Sequence, residues 1–217
     1  MVSLDKENFK WKRVIIRVDY NVPVENNKIL DETRIAKSKP TIQKIINDGG
    51  SCILMSHMGR PKGKDKEFSF NKILFQIEKT LDLKVVLVEN FLEKKSIKKI
   101  KSIKPGDVIL LENLRFYPEE TKGDENFAKK LASLADCYVN DAFGTSHRRH
   151  ASTTEIAKYF PKKKFSGYLL KKEVESIKNV LNDGKRPVLA IVGGAKISTK
   201  ITVINSILDK VDDIIIG

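Results

Sequence analysis

The sequence predicts an α/β protein in which a mostly parallel sheet is covered by helices on both faces. Short runs rich in valine, isoleucine and leucine alternate with longer segments whose apolar residues recur at helical spacing. Strands and helices that alternate in this way form right-handed βαβ units, which build a doubly wound, three-layer αβα fold of the Rossmann-like type. The 217 residues, 41% of them hydrophobic, suffice for one sizeable core and the start of a second α/β domain.

Five strands and four helices are predicted in the first part of the chain. The strands are predicted at residues 14–18, 52–56, 85–88, 108–112 and 137–140, and the helices at 34–48, 71–80, 93–103 and 125–134. Pro40 lies inside the first helical pattern, so we expect this helix to start near residues 38–40 or to kink there. Gly49 and Gly50 are expected to end it.

The pattern changes at Gly167. A long charged helix is predicted at 169–181, followed by a strand, a helix and a strand at 188–192, 196–208 and 213–216. We therefore expect an N-terminal domain at 1–166, a connecting helix at 167–185 and a partial second domain at 186–217. One βαβ unit alone would leave its strand edges and apolar surface exposed, so we interpret the chain as a fragment of a longer two-domain protein.

The formal net charge of +13 permits two interpretations. A basic chain can bind nucleic acid or another polyanion, which would predict binding to arbitrary DNA that weakens steeply with salt. Alternatively, its lysines solvate helix faces. The segment EKKSIKKIKSIK places Ile97, Ile100 and Ile103 three residues apart between lysines, which is typical of an amphipathic helix. No aromatic residue interleaves with this basic run, so we favour the second interpretation and expect no nucleic-acid partner.

Several features bear on the compartment. The N-terminus, MVSLDKENFKW, lacks the basic and apolar regions of a signal peptide. No apolar run approaches the roughly 20 residues of a membrane span. Cys52 and Cys137 each lie in a predicted buried strand, as inert cysteines of a reduced compartment do. We expect a soluble, cytoplasmic protein with no membrane partner.

Only eight of the 41 basic residues are arginines, and arginine grips phosphate or carboxylate bidentately, as lysine cannot. Polar loops follow the first, second, fourth and fifth predicted strands, and ligands bind beyond the carboxyl ends of parallel strands. These loops and the first helix carry Arg34, Arg60, Arg115, Arg148 and Arg149. We therefore expect a site for a small phosphorylated anion, formed by Asp19, Asn21, Arg34, His57, Arg60, Arg115 and Arg148. Arg13, Arg17 and Arg186 are interpreted as structural.

Two further motifs carry chemistry. His57, His147 and His150 lack the cysteines or clustered carboxylates of a zinc site, so we expect hydrogen-bonding roles and no metal. Gly193 and Gly194 stand between a predicted strand and a predicted helix that carries Lys196 and Lys200. Glycines there let the backbone approach a phosphate, although the sequence matches neither the P-loop nor the dinucleotide pattern.

Six segments together resemble the phosphoglycerate kinase family. They are RVDYNVP (17–23), the helix start at Arg34, SHMGRP (56–61), LLENLRFYPEE (110–120), NDAFGTSHR (140–148) and GGAKISTK (193–200), in the family's order and with similar spacing. The resemblance covers the whole chain. It identifies 1–166 with the N-terminal 3-phosphoglycerate-binding domain, 167–185 with the connecting helix, and 186–217 with part of the nucleotide-binding domain.

The resemblance implies reversible phosphoryl transfer between 1,3-bisphosphoglycerate and ADP, giving 3-phosphoglycerate and ATP in glycolysis. It implies that the substrate is bound by Asp19, Asn21, Arg34, His57, Gly59, Arg60, Arg115 and Arg148, and the nucleotide by Gly193, Gly194, Lys196 and Lys200. Arg34 and Lys196 would be catalytic, because this reaction needs positioning and positive charge around the transferred group. The cofactors would be Mg-ATP and Mg-ADP in the full-length enzyme, with the magnesium ligand outside this chain. We expect a monomer that lacks its C-terminal domain, binds 3-phosphoglycerate and is inactive alone.

Two residues depart from the family pattern. Trp11 stands where the family has a small turn residue, which leaves the local turn open. Arg149 stands where a small residue is usual, and either adds an anion contact or faces solvent. A nicotinamide dehydrogenase is disfavoured, because no dinucleotide fingerprint follows the first strand.

Overall fold

Seven parallel strands form the central sheet in the part of the chain that this computed structural model describes, residues 2–183, 185–193 and 201–217. The chain divides into two compact units, one up to Lys171 and one from Lys172 onward, each with its own sheet.

The strands of the first unit are β1 (Val2–Ser3), β2 (Arg13–Arg17), β3 (Val24–Glu25), β4 (Lys28–Ile29), β5 (Ser51–Met55), β6 (Val85–Val88), β7 (Val108–Leu111), β8 (Cys137–Asn140) and β9 (Lys164–Ser166). Its helices are α1 (Thr33–Asn47), α2 (Leu74–Leu81), α3 (Lys94–Lys101), α4 (Pro118–Lys122) and α5 (Glu125–Ala132), and α6 (Tyr168–Asp183) begins in it. The strand order is β1-β9-β8-β2-β5-β7-β6. Each neighbouring pair in this sheet is parallel, whereas β3 and β4 form a separate antiparallel hairpin.

Successive residues of β2 point to opposite faces of the sheet, and both faces are buried. Ile15 belongs to one apolar cluster with Ile53, whereas Val14 and Ile16 belong to a second cluster. A strand buried on both faces is typical of a parallel sheet covered by helices. The predicted α/β fold is therefore confirmed.

Helix α1 begins at Thr33, and Pro40 lies in its interior. Of the two sequence alternatives, the later start near residues 38–40 is wrong. Asp31 Oδ1 accepts a hydrogen bond at 2.8 Å from the N–H of Thr33, the first residue of the helix, and so satisfies one of the N–H groups that have no partner within the helix. The buried face of α1 carries Ile35, Ile42 and Ile45. Burial of these isoleucines on both sides of the proline offsets the backbone hydrogen bond that proline removes.

Helix α3 confirms the interpretation of the lysine-rich segment. Ile100 is buried, and Ile97 and Ile103 pack against the same core cluster, while the lysines between them are exposed. Cys52 and Cys137 are buried free thiols, as expected of core cysteines. Burial raises the pKa of Cys137 to about 11.

Trp11 adopts a left-handed backbone conformation with φ of 61°, and its N–H donates to Gly49 O at 2.9 Å. Its side chain is 72% exposed. The turn before β2 is therefore formed by an exposed aromatic residue at a backbone angle that non-glycine residues rarely adopt.

Several short elements escaped the sequence analysis. These are the edge strand β1 and its neighbour β9, the hairpin of β3 and β4, and a π-helix at Ala151–Glu155 that begins within the segment interpreted as a polar loop. The four strands have three residues or fewer and the π-helix is a single short turn, so no hydrophobic period can show in them.

The second unit contains a parallel pair of strands, β10 (Leu189–Val192) and β11 (Asp213–Ile216), and helix α7 (Ile201–Ile207). Both strands agree with the predictions at 188–192 and 213–216. The first part of the helix predicted at 196–208 lies outside the described residues. None of the described helices is long and apolar enough to cross a membrane.

Candidate anion-binding site

Four neighbouring strands, β8, β2, β5 and β7, are each followed by a polar loop. Because these strands are parallel, their carboxyl ends meet at one edge of the sheet. The structure therefore brings together the loops that carry the predicted site residues.

Arg34 reaches from the first turn of α1 to the loop after β2. Its Nη1 donates to Asp19 Oδ2 at 2.9 Å and to Asn21 O at 3.0 Å. Asn21 Oδ1 in turn accepts a hydrogen bond from Gly59 N at 2.9 Å, which joins this loop to the loop after β5. The Arg34 side chain is 52% exposed, and only Nη1 is engaged by the described residues, so its other N–H groups can bind a ligand.

Asn113 and Gly59 fix the position of Arg115. Asn113 Oδ1 accepts from Arg115 N at 3.1 Å and from Met58 N at 3.2 Å. Arg115 Nη1 donates to Gly59 O at 2.5 Å. Gly59 has φ of +62°, and a Cβ there would lie 2.2 Å from the Phe68 ring, so only glycine fits this turn.

A cavity of about 370 Å³ opens between the loops that follow β5, β7 and β8. Its lining includes Arg60, Arg115, Arg148, His150 and Thr121. Among the described residues none of these three arginines forms an ion pair with a carboxylate, unlike Arg13, Arg34 and Arg186. Burial, and then the charges of neighbouring arginines, lower the pKa of Arg115. A bound anion would relieve this repulsion.

The two histidines of the site are uncharged at neutral pH. Burial, and then the guanidinium groups of Arg17, Arg115 and Arg148, lower the pKa of His57 to about 2. Burial and the same guanidinium groups lower the pKa of His150 to about 4. His150 Nδ1 lies 3.8 Å from a Glu120 carboxylate oxygen, but a neutral ring forms no ion pair there. Both rings therefore serve as hydrogen-bonding groups.

The π-helix at Ala151–Glu155 holds the loop that follows β8. Thr153 Oγ1 donates to Arg148 O at 2.7 Å and accepts from His150 N at 3.2 Å. Ser152 N donates to Glu120 at 3.0 Å. These contacts fix the backbone that follows Arg148.

A layer of buried polar residues lies against His57, and the sequence analysis missed it. Arg17 is 1% exposed and Glu120 is 1% exposed, and both connect to Ser152. The sequence offers one signal for this layer, which is the charged residue within the apolar run VIIRV.

A larger cavity of about 590 Å³ lies near Lys64–Lys72 but has no arginine or histidine in its lining. Its charges are mixed, and its buried carboxylate, Glu112, already accepts hydrogen bonds from Ser69 Oγ at 2.6 Å and Phe70 N at 3.0 Å. The smaller, uniformly basic cavity is therefore the candidate anion site.

Of the eight predicted substrate residues, Arg60, Arg115 and Arg148 line this cavity, whereas Asp19, Asn21, Arg34, His57 and Gly59 do not. The other predicted residues also lie elsewhere. Arg149 is exposed and does not line the cavity. Gly193 belongs to the second unit, whereas Gly194, Lys196 and Lys200 lie outside the described residues. Within the described residues no group of three or more His, Cys, Asp or Glu side chains could hold a metal ion.

Comparison with known proteins identifies the family of the chain. The phosphoglycerate kinase family model matches residues 4–217. The chain is 45% identical to a phosphoglycerate kinase of Porphyromonas gingivalis, covering 99% of this chain and 57% of that protein. It is 50% identical to one of Moorella thermoacetica, covering 95% of this chain and 52% of that protein.

Solved structures give the same result. The structure of phosphoglycerate kinase from Coxiella burnetii matches with a TM-score of 0.85 at 40% identity, over all of this chain and 54% of that one. That from Pyrococcus horikoshii matches with a TM-score of 0.88 at 31% identity, over all of this chain and 55% of that one. The chain spans about half the length of the curated relatives it matches. On sequence and fold together, the chain belongs to the phosphoglycerate kinase family.

Proposed function

We propose that the first unit binds 3-phosphoglycerate or its acyl phosphate, as the substrate half of a phosphoglycerate kinase. The observation that carries this proposal is the cavity lined by Arg60, Arg115 and Arg148, whose guanidinium groups have no carboxylate partner among the described residues. A small ligand with a carboxylate and a phosphate group matches this excess of positive charge. The substrate set is Asp19, Asn21, Arg34, His57, Gly59, Arg60, Arg115 and Arg148.

The reaction proposed for the full-length enzyme is reversible phosphoryl transfer between 1,3-bisphosphoglycerate and ADP, giving 3-phosphoglycerate and ATP. In such a transfer the protein supplies positioning and positive charge. Arg34 suits this task because most of its N–H groups are free and its guanidinium is held in place by Asp19 and Asn21. We assign it the stabilisation of the phosphoryl group in transit.

The nucleotide side of the reaction is proposed from the family resemblance. Gly193, Gly194, Lys196 and Lys200 would bind the phosphates of Mg-ATP or Mg-ADP, with Lys196 as the second catalytic cation. Magnesium would come with the nucleotide, and its protein ligand would not belong to this chain. We also propose a cytoplasmic monomer that needs a C-terminal domain, so the 217-residue chain by itself would bind substrate but turn over little or not at all.

Calorimetric titration with 3-phosphoglycerate tests the binding proposal. We expect saturable heat for the native chain and at least tenfold weaker binding for Arg115→Ala, because that arginine is partly buried in the cavity lining. Arg186→Ala is the matched control, since it removes the same charge from an exposed ion pair in the second unit. No heat at millimolar ligand in a folded sample, or equal losses in both variants, would overturn the proposal.

A further inference from the structure

A fully buried arginine contacts one of the site histidines. Arg17 is 1% exposed, and Nη2 of its guanidinium lies 3.0 Å from His57 Nδ1. Its Nε donates to Ser152 Oγ at 3.0 Å, and its Nη1 donates to the carbonyl of Val18. No carboxylate of the described residues is hydrogen-bonded to it. Burying a guanidinium costs free energy unless its N–H groups are hydrogen-bonded. These hydrogen bonds therefore hold the Arg17 side chain in one position.

The contact determines where the His57 ring carries its proton. A guanidinium has only donors, so His57 Nδ1 must accept the hydrogen bond and must be unprotonated. In a neutral ring the proton is then on Nε2. Among the described residues Nε2 has no protein partner, and it is not one of the two buried unpartnered side-chain atoms, so it meets solvent.

We infer that Arg17 is a positioning residue that holds His57 as the neutral tautomer protonated on Nε2, so that His57 presents a fixed hydrogen-bond donor to an anion. The identity of that anion rests on the function proposed above, but the tautomer does not. A neutral donor hydrogen-bonds an anionic oxygen without adding charge to an already basic cavity.

The electrostatics of the surroundings support a neutral ring. The charged groups that act on His57 are Arg17 on β2, Arg115 after β7 and Arg148 after β8, and the titratable ring of His150 lies with them. Together with burial they lower the pKa of His57 to about 2, because a second cation is unfavourable among them.

Two further residues hold Arg17 in place. The Ser152 hydroxyl accepts from Arg17 Nε and donates to Glu120 Oε1 at 2.6 Å. Glu120 is buried and supplies the charge that opposes the guanidinium through this hydroxyl. The chain of hydrogen bonds therefore runs from Glu120 through Ser152 and Arg17 to His57, and it joins β2, α4, the π-helix and the loop after β5.

Nitrogen-15 NMR of the imidazole rings of the 217-residue chain tests the inference. The chain has three histidines, so His57→Asn identifies the relevant signal. For the native chain we expect unprotonated Nδ1 and protonated Nε2, with no titration between about pH 5 and 8. Arg17→Met should give a ring that titrates in this range or shows both tautomers. Arg13→Met is the matched control, because it lies on the same strand and pairs with Asp136 instead.

Ser152→Ala provides a second variant if Arg17→Met does not fold, since it removes one anchor of the guanidinium but keeps the charge. We expect it to weaken 3-phosphoglycerate binding about three- to tenfold and to broaden the tautomer distribution of His57. A native ring protonated on Nδ1, or a ring unchanged in the variants, overturns the inference. The expected tautomer without any binding of 3-phosphoglycerate leaves the inference standing and contradicts the proposed function instead.

Discussion

Lysines and the arginines of the candidate site differ in whether they form ion pairs with carboxylates of the protein. Lys158 forms exposed ion pairs with Glu125 and Glu155, as surface lysines commonly do. Arg60 and Arg115, in contrast, line the cavity without a carboxylate partner among the described residues. An anion site requires arginines such as these, whose guanidinium groups are not already paired with a carboxylate of the protein.

Arg34 should affect rate more than affinity. In an active full-length enzyme, we expect Arg34→Ala to lower kcat by about 100-fold or more, with a smaller change in substrate Kd, because a cation at the transferred group acts mainly in the transition state. Steady-state kinetics with isothermal titration measures both quantities. Lys37→Ala, an exposed residue one turn along α1, is the control and should change neither. An unchanged kcat in Arg34→Ala would refute the assigned role.

Asp141 should make stability depend on pH. Burial raises the pKa of Asp141 to about 6 from 3.8, so the native state holds the proton more tightly than the unfolded chain. The contribution of this group to the free energy of unfolding therefore falls as pH rises from about 4 to 6, by up to about 3 kcal/mol. Asp141→Asn removes this pH dependence. Urea unfolding at several pH values should therefore show that the free energy of unfolding of the variant rises relative to that of the native chain as pH increases.

Asp136→Asn is the control with the opposite sign. Burial acts to raise the pKa of Asp136, but hydrogen bonds from Arg13 outweigh burial and lower it. The charged Asp136 carboxylate therefore stabilises the native state, and this contribution is fully present once pH exceeds the pKa of the group in the unfolded chain. The free energy of unfolding of Asp136→Asn should accordingly fall relative to that of the native chain as pH rises. Parallel slopes in the two variants would contradict the account of Asp141.

Single residues of the site were predictable to different degrees. Asp19, Asn21 and Arg34 lie in short loops after a strand or at a helix start, where pattern and family resemblance both point to a ligand. Arg17 lies in a predicted strand and is interpreted as structural for that reason. Its burial and its contact with His57 depend on how β2 packs against β5 and the π-helix. Those long-range contacts leave no local pattern in the sequence.

The start of α6 depends on a close contact with the loop after β8. Leu170 N donates to Asp141 Oδ1 at 3.1 Å, and a Cβ on Gly167 would lie 2.1 Å from the same carboxyl group. We expect Gly167→Ala to displace Asp141 and to destabilise the first unit by about 1–3 kcal/mol, measured by urea unfolding.

Gly144→Ala is the matched control for Gly167→Ala. A Cβ there would make an ordinary contact of 3.5 Å with Asp19, so we expect a change within about 0.5 kcal/mol. Equal losses in the two variants would show that the contact between Gly167 and Asp141 does not anchor the helix.

Elements marked by an apolar run of four or more residues were predictable, whereas the shortest strands and the start of the proline-containing helix were not. The strands at Val85–Val88 and Cys137–Asn140 lie where their apolar runs indicated. The short strand at Lys164–Ser166 is fixed by pairing with β1 and β8, which no three-residue sequence reveals. The early start of α1 follows from tertiary burial that outweighs the local preference of Pro40.

At the scale of the whole molecule, function depends on the parallel order of four strands. Because β8, β2, β5 and β7 are adjacent, loops that are far apart in the sequence converge at one edge, and those after β5, β7 and β8 line one basic cavity. The opposite edge of the sheet begins near Trp11 and Pro105, where a separate cavity of about 580 Å³ lies. The central claim is that a small anionic substrate binds at the first edge and not at the second.

Backbone amide chemical shifts, recorded while 3-phosphoglycerate is added to the 217-residue chain, test that claim most directly. The account predicts saturable changes concentrated in the loops after β2, β5, β7 and β8, at Asp19, Gly59, Arg115 and Arg148, and little change at Trp11. Changes centred on the opposite edge, or no saturable change at millimolar ligand in the folded chain, would contradict it.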